Sequence, residues 1–537
     1  MTVLSRIFAT ARRSPDRPAL RFLNNGEEET VTLTYGALAA EVTHICLKLC
    51  ALGHVGGSAA LIARPGPAFL TTLLGLMAAG TVVAPLPQPR GGPARHRVAS
   101  SLKQLRPSII VCEEEDAGEL ERLGPGVRRV YVSELRGGDG AGRLKGALPQ
   151  AEAGDDAPSI IQFSSGSTAE PRGVVISGRN ILANAAMIHS VANFGAEDVT
   201  VSWLPHTHDM GLIGGLLAPM LYGGGVVQMS PDAFFRRPVR WLQALTRYQA
   251  RLTVSPDFGY ALAARRISPK ALSSLDLSQL KAAFIGAEPI RPATIDRFTQ
   301  TFEPAGFNRS AFVTCYGLAE TTLICTAGTA EIVGKHVSSG RAIEGVRIEL
   351  RQASAEHRPG EGEIWIGGPH VALGLWDGRR QTYRPFERED CESGGQRLVA
   401  TGDLGRVDQG ALIVLDRLKD TLPVRGGTLG PVELELEACG VHASIQSAAA
   451  VSISTGHGGD VALALEIDAR GLDSEAVAAI EREVKARIAQ EFGVRAALYR
   501  FKPWSLPRTT SGKIRRFEVR ALLVEREQER ESDVQAR

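Results

Sequence analysis

Residues 164–173 read Ser-Ser-Gly-Ser-Thr-Ala-Glu-Pro-Arg-Gly. The apolar run Pro158-Ser159-Ile160-Ile161-Gln162-Phe163 precedes them and Val174-Val175-Ile176 follows. Two short β-prone runs around a Ser/Gly/Pro cluster predict two strands joined by a tight loop. Such a loop gathers backbone N–H groups and the hydroxyls of Ser164, Ser165, Ser167 and Thr168 into one small concavity, which suits a polyphosphate. Gly166 and Gly173 let the backbone bend and approach a ligand closely. Taken alone, such a composition more often marks a solvated loop than a phosphate site.

Four later stretches bear on that choice: Tyr316-Gly317-Leu318-Ala319-Glu320, Thr401-Gly402-Asp403-Leu404-Gly405, Asp416-Arg417-Leu418-Lys419-Asp420 and Leu506-Pro507-Arg508-Thr509-Thr510-Ser511-Gly512-Lys513. In this order and spacing, and with the Ser/Gly/Thr loop, they resemble the adenylate-forming superfamily of acyl-CoA synthetases, luciferases and adenylation domains. The resemblance runs from Ser14-Pro15-Asp16-Arg17-Pro18 to Lys513. It implies a large N-terminal domain of stacked α/β subdomains and a small mobile α+β C-terminal domain. Their expected bounds are 1–415 and 421–537, with a hinge at 416–420. The local patterns agree. Helical and strand-like segments alternate through the first ~400 residues, which argues α/β architecture with largely parallel sheets. The Gly-rich stretch Arg136–Gly142 is expected to separate two subdomains. Beyond Asp416, strands are expected at Ile445–Val451 and Val461–Ile467, an amphipathic helix from Ser474 to about Ala489, and a helix-prone charged tail after Phe517.

The 537 residues suffice for two or three domains. Lys and Arg number 61 against 59 Asp and Glu, a net charge of +2, so no strong field points to nucleic acid or an anionic membrane. Seven scattered cysteines without a CxxC pair suggest free thiols in a reducing compartment. The N-terminal stretch shows no apolar core followed by a small-residue cleavage site, and a cytoplasmic location is expected. Residues 68–86 carry no charge and approach the length of a membrane span. Their period changes midway, however, so a helix ending at Gly80 and feeding a core strand is expected instead. No stable membrane insertion is expected.

The resemblance implies that a carboxylate and ATP give an acyl-adenylate and pyrophosphate. The reaction needs the polyphosphate held with a metal, the α-phosphate neutralised by a cation, and the carboxylate oxygen brought in line. By resemblance the Ser164–Gly173 loop holds the phosphates, with Arg172 where relatives commonly have lysine. Glu320 binds Mg²⁺ with Thr168 nearby, since a hard cation takes oxygen ligands. Tyr316, with Gly317 behind it, stacks on adenine, and Gly286, Ala287 and Glu288 line the opposite side. Asp403 accepts from the ribose hydroxyls and Arg417 adds a ribose or phosphate contact. Lys513 is the adenylation lysine, and Lys419 stands at the hinge position.

Residues 202–215, Ser-Trp-Leu-Pro-His-Thr-His-Asp-Met-Gly-Leu-Ile-Gly-Gly, resemble the fatty acyl-AMP ligase branch. That branch activates fatty acids and passes them to the phosphopantetheine arm of a carrier protein, expected here to come in trans, rather than to coenzyme A. The Pro256-Asp257-Phe258-Gly259-Tyr260 stretch agrees, and His208 is expected to orient the carboxylate. Two features depart from the branch. Glu320 and Ser339 are only 19 positions apart, so the insertion usual there is missing, as in acyl-CoA synthetases. Residues 425–431 also lack the Asn that often follows the glycines. An acyl-CoA synthetase is therefore the alternative enzyme. A catalytically inactive carrier-binding scaffold is the alternative outside enzymes, and the presence of Lys513, Glu320 and Asp403 argues against it. No GxxxxGK[ST] or GxSxG motif supports an NTPase or a serine hydrolase.

Overall fold

The computed structural model describes residues 2–136, 154–163, 171–352, 359–387, 389–390, 397–424, 427–453, 461–509 and 512–535. Internal packing divides the chain into two units. One comprises Met1–Ile332, Val337–Arg347 and Ile366–Val399; the other comprises Val333–His336, Ile348–Trp365 and Ala400–Arg537.

The first unit holds two large sheets with helices on them. In the eight-stranded sheet the order is Thr382–Pro385, Gly374–Asp377, Gly173–Ser177, Pro158–Phe163, Val82–Pro85, Ser58–Ile62, Ile109–Cys112 and Arg128–Tyr131. From Pro158–Phe163 to Arg128–Tyr131 neighbouring strands are parallel, whereas the pairs at the other end are antiparallel. Every residue of Ser58–Ile62, Ile109–Cys112 and Gly173–Ser177 is buried. That explains their continuous apolar sequence: a strand covered on both faces has no polar side to alternate with.

The expectation that Arg136–Gly142 separates two subdomains is not met. The strand before it, Arg128–Tyr131, and the strand after it, Pro158–Phe163, belong to the same sheet. Residues 137–142 themselves lie outside the described residues. Glycine density is not by itself a boundary signal, and the return of the chain to its own sheet leaves no local trace in the sequence.

The 68–86 segment folds as expected. A buried helix, Pro67–Ala78, ends just before Gly80 at φ +72°, and the strand Val82–Pro85 follows. At Gly75 a methyl would come 2.8 Å from Ile45 Cβ, so that glycine lets this helix press against the helix Tyr35–Ala51. Among the described residues no helix is long and apolar enough to cross a membrane.

The nine-stranded sheet runs Arg341–Ala342, Thr326–Thr329, Phe312–Tyr316, Ala282–Gly286, Leu252–Pro256, Val199–Ser202, Gly225–Met229, Pro18–Leu23 and Glu29–Thr34. Its middle six strands, Phe312–Tyr316 through Pro18–Leu23, are all parallel. An aromatic cluster packs this region, with Trp203 stacked on Phe234 at 3.8 Å between ring centroids.

In the second unit a three-stranded sheet, Ile445–Ser452, Val461–Ile467 and Ala496–Phe501, carries helices on both faces. The strand period of two sorts the side chains. Ala448, Ala450, Leu463 and Leu465 face the helices Pro431–Val441 and Ser474–Phe492. Ala449, Val451, Ala462 and Ala464 face the helix Arg516–Gln535 through Val519 and Leu523. The helix at Ser474 starts at an Asp473 cap and runs one turn beyond the expected end. It stops at Gly493, whose φ of +66° is the left-handed conformation glycine adopts freely.

Candidate active site

In a parallel sheet the loops leaving the carboxyl ends of the strands gather along one edge, where α/β proteins bind ligands. Four neighbouring strands of the nine-stranded sheet end there, at Ser202, Pro256, Gly286 and Tyr316. The segments that follow them contain His208, Asp257, Ala287-Glu288 and Gly317–Glu320. Four of the stretches singled out in the sequence thus leave one edge of the nine-stranded sheet together, while the Ser164–Gly173 stretch lies between two strands of the eight-stranded sheet.

The Tyr316–Glu320 segment is set by close backbone contact. A methyl group at Gly317 would overlap the Leu323 carbonyl oxygen and stand 2.8 Å from Ile324 Cα, so only glycine fits. Cys325 N donates to Tyr316 O at 2.9 Å, and Thr321 Oγ1 accepts from Leu318 N at 3.2 Å. Asn184, fully buried, clamps the segment from beneath. Its Nδ2 donates to Ile324 O at 2.7 Å and to Thr321 O at 3.3 Å, and its Oδ1 accepts from Ile324 N at 3.3 Å. Thr322 is held at φ +65°, a rare conformation for a β-branched residue, and its hydroxyl donates to His370 O at 2.7 Å. Such strain persists where the surroundings over-determine it, and here it lies two residues from Glu320.

Glu320 is largely shielded, with an 18% exposed side chain, and its carboxylate lies 3.5 Å from the Arg172 guanidinium. A cation from the end of the Ser/Gly/Thr stretch is thereby brought against the candidate metal ligand. Residues Ser164, Ser165, Gly166, Ser167 and Thr168 lie outside the described residues. Among the described residues no group of three or more His, Cys, Asp and Glu is arranged to hold a metal ion. A single carboxylate completed by phosphate oxygens and water is the usual Mg²⁺ arrangement beside a nucleotide, so Glu320 fits that ion.

At Gly286 a methyl would overlap the Cys315 carbonyl oxygen, which explains the glycine. Ala287 takes φ +66°, an outlier for a residue with a Cβ. Glu288 is oriented by its neighbour: its Oε1 accepts from Phe258 N at 2.7 Å, at the start of the helix Asp257–Arg266. Beside it, buried Asp257 accepts from Arg291 N at 3.0 Å and Arg291 Nε at 2.7 Å, and from the Thr294 hydroxyl at 3.1 Å. This buried ion pair joins two of the edge segments, and nothing local in the sequence announced it.

The structure separates the two histidines of Pro205-His206-Thr207-His208. His206 is buried, packs on Phe69 at 4.1 Å between centroids, and places Nε2 3.1 Å from Ala63 O. Burial drives its imidazole down to about 4. His208 stays partly exposed, with Nδ1 2.6 Å from Asp209 Oδ1. The same Nδ1 lies 3.4 Å from Met210 N, whose N–H points to it. Asp209 also accepts from Met210 N at 2.6 Å. From Met210 to Leu217 the chain forms a π-helix, seen in the Ala218 N to Ile213 O bond. Wide helical turns of this kind recur at functional sites. The small residues are required: a methyl at Gly211 would overlap Pro205 O, and one at Gly215 would stand 2.6 Å from Ser202 Oγ. Gln162, next to the end of its strand, donates to Thr207 O at 2.7 Å and so ties the base of the Ser/Gly/Thr loop to the histidine turn. Sequence reading had no signal for Gln162 or Asn184.

In the second unit Asp403 and Arg417 face each other across the antiparallel pair Arg397–Asp408 and Ala411–Arg417. Arg417 Nε lies 3.2 Å from Asp403 Oδ1, and Asp403 is nearly buried while Arg417 is half exposed. Gly402 turns at φ +72°, and its N–H donates to Glu363 Oε1 at 3.1 Å. In the 416–420 segment Asp416 is buried and accepts from Arg417 N at 3.0 Å and Val432 N at 2.8 Å. Burial pushes its carboxyl up to about 7 against the pull of Arg516. Lys419 is exposed on the short turn Leu418–Asp420.

Lys513 springs from a closed turn. Its N–H donates to Thr509 Oγ1 at 3.1 Å and its carbonyl accepts from Thr509 N at 2.8 Å. Gly512 N donates to Thr509 O at 2.9 Å, and Arg515 N to Pro507 O at 2.9 Å.

The chain matches the family model of AMP-binding enzymes over residues 7–376. It is 31% identical to the long-chain-fatty-acid–AMP ligase FadD26 of Mycobacterium marinum, covering 94% of each chain. It is 29% identical to the medium-chain-fatty-acid–[acyl-carrier-protein] ligase JamA of Moorena producens, over 95% of this chain and 93% of the relative. Its fold superposes with a TM-score of 0.79, at 28% identity and 98% coverage of both chains, on a structure from studies of fatty acyl-adenylate ligases of E. coli and L. pneumophila. The α/β architecture, the carboxyl-edge site and these likenesses together show that the chain belongs to the AMP-binding enzyme family and is an adenylate-forming ligase.

Proposed function

We propose that the protein activates a fatty acid as its acyl-adenylate and passes the acyl group to the phosphopantetheine thiol of a carrier protein. The observation that carries the adenylation step is the Arg172–Glu320 pair, a guanidinium suited to phosphate beside a carboxylate suited to Mg²⁺. The likeness to ligases named for AMP and for acyl carrier protein supports the same branch. In the first step a carboxylate oxygen of the fatty acid attacks the α-phosphorus of ATP. The bond from that phosphorus to the bridging oxygen breaks and pyrophosphate leaves. In the second step the thiol sulfur attacks the acyl carbon, the carbon–oxygen bond to phosphate breaks, AMP departs and the thiol proton goes to solvent.

The residues divide these tasks. The Ser164–Thr168 loop and Arg172 bind the polyphosphate. Glu320, with Thr168, holds Mg²⁺, which when bound draws charge from the phosphate oxygens. Tyr316 and Gly317 face adenine on one side, and Gly286, Ala287 and Glu288 on the other. Asp403 accepts from the ribose hydroxyls, oriented by Arg417, and His208 orients the substrate carboxylate. Lys513 neutralises charge developing between carboxylate and α-phosphate. The 416–420 segment with Lys419 is the pivot between the two half-reactions, a domain-scale gating step. A cytoplasmic location, expected from the dispersed cysteines of the sequence, belongs to the same proposal.

Glu320→Ala is expected to raise the Mg²⁺ concentration needed for half-maximal rate by about tenfold, the loss of one charged ligand. Asp403→Ala is expected to raise KM for ATP with a smaller change in kcat, the mark of lost ground-state binding. Titrations of Mg²⁺ and ATP on both variants separate these effects, and unchanged dependences would remove both assignments. The acceptor is tested with ATP and a panel of acids. Hydroxylamine-trapped adenylate is compared with thioester formed on coenzyme A and on a holo-carrier. Adenylate without efficient acyl-CoA, and thioester on the carrier, is the expected result. Efficient acyl-CoA synthesis with no gain from the carrier would make the protein an acyl-CoA synthetase.

A further inference from the structure

The turn that carries Lys513 is bolted to the core of its own unit by a buried ion pair. Glu466 lies on the central strand Val461–Ile467 with its side chain 2% exposed, and Arg508 opposite it is 14% exposed. Arg508 Nη2 donates to Glu466 Oε2 at 2.6 Å and to Ser447 Oγ at 3.0 Å. The other carboxylate oxygen of Glu466 accepts from Leu506 N at 2.9 Å. Arg508 Nη1 then donates to Gly512 O at 3.1 Å, the carbonyl that precedes Lys513. The guanidinium also lies over the Trp504 ring, 4.5 Å from its centroid.

We propose that Arg508 is a positioning residue for Lys513, acting through the Gly512 carbonyl and anchored on Glu466; this rests on Lys513 being the adenylation lysine. A lysine ammonium on its four-carbon stem has little preferred direction of its own. The backbone from which it springs must therefore set its reach, and small misplacements of a reacting group cost large factors in rate. A planar guanidinium suits the task, because its fixed fork reaches the sheet carboxylate and the turn carbonyl at once. A lysine at 508 could reach one of them.

The test is a double-mutant cycle on the full-length enzyme, with acid-dependent ATP–pyrophosphate exchange as the adenylation readout. Arg508→Met is expected to lower kcat for exchange by about tenfold or more, with KM for ATP nearly unchanged. Combined with Lys513→Ala it is expected to cause no further loss, because it acts through the same ammonium. Arg508→Lys is expected to restore part of the rate. Thioester formation from supplied acyl-adenylate, which needs no α-phosphate neutralisation, is expected to fall less than exchange. Equal losses in both half-reactions, or additive losses in the double variant, would reduce Arg508 to a structural role and overturn the proposal. Should Arg508→Met fail to fold, Glu466→Gln keeps the shape of the network, drops its charge and enters the same cycle with the same deciding outcomes. If Lys513→Ala itself exchanges at full rate, the reading of Lys513 falls. If Lys513→Ala is impaired and Arg508→Met is not, only the positioning role falls.

Discussion

Replacing Lys513 by alanine is expected to slow acid-dependent pyrophosphate exchange by about 10²-fold or more, a loss of ~3 kcal/mol typical of removing one group that stabilises transition-state charge. The chemistry brings an anionic carboxylate against a polyanionic phosphate, so positioning and charge neutralisation carry most of the catalysis. The turn around Lys513 is closed by Thr509 on both its N–H and its carbonyl. Shortening the side chain therefore removes the ammonium without opening the turn. Thermal stability is expected to stay near wild type while kcat for exchange collapses. Exchange at wild-type rate in Lys513→Ala would end the assignment, and a matching drop in stability would show that the lysine serves the fold.

The second large effect is expected from Gly317→Ala. The added methyl has no free space: the Leu323 carbonyl carbon lies 2.6 Å from its position and Ile324 Cα 2.8 Å. Both obstacles are backbone, and Asn184 holds that backbone from the other side. Neither strand of the contact can give, so the variant should lose at least about 3 kcal/mol, the upper range for overpacking a rigid site. The Tyr316–Glu320 segment would have to move as one piece, so Mg²⁺ dependence and ATP binding should deteriorate together. Denaturant unfolding alongside Mg²⁺ and ATP titrations reads both effects. An alanine variant with unchanged stability and activity would contradict the close approach.

Local pattern was a good guide wherever one neighbouring element decides the outcome. In Ile445–Ser452 and Val461–Ile467, short apolar residues on both faces marked a buried strand, and helices cover both sides. In residues 68–86 the change of period and Gly80 marked the end of a helix, and the turn falls there. Residues 202–215 carried a family resemblance but no sign of how Met210–Leu217 would coil. The π-helix there depends on what Gly211 and Gly215 meet across the turn, the Pro205 carbonyl and the Ser202 hydroxyl. His206 and His208 are alike in sequence. Only the packing of Phe69 and the nearness of Ala63 O sent the first inward.

The amino-acid sequence by itself determined the class of the protein: alternating α and β elements, a compact α+β C-terminal part, and the ordered motifs that mark an adenylate-forming ligase. Each of these is written in residues close together along the chain, in a period, a glycine or a short signature. Tertiary structure alone decided which side chains hold those motifs in place. Gln162 reaches Thr207, Asn184 reaches Ile324, Asp257 reaches Arg291, and Arg508 reaches Glu466, across separations of 34 to 140 residues. A polar side chain at such a position looks the same in sequence whether solvent or a distant backbone satisfies it. The cost of burying it without a partner is what selects the partner, and that cost arises only once the chain has folded.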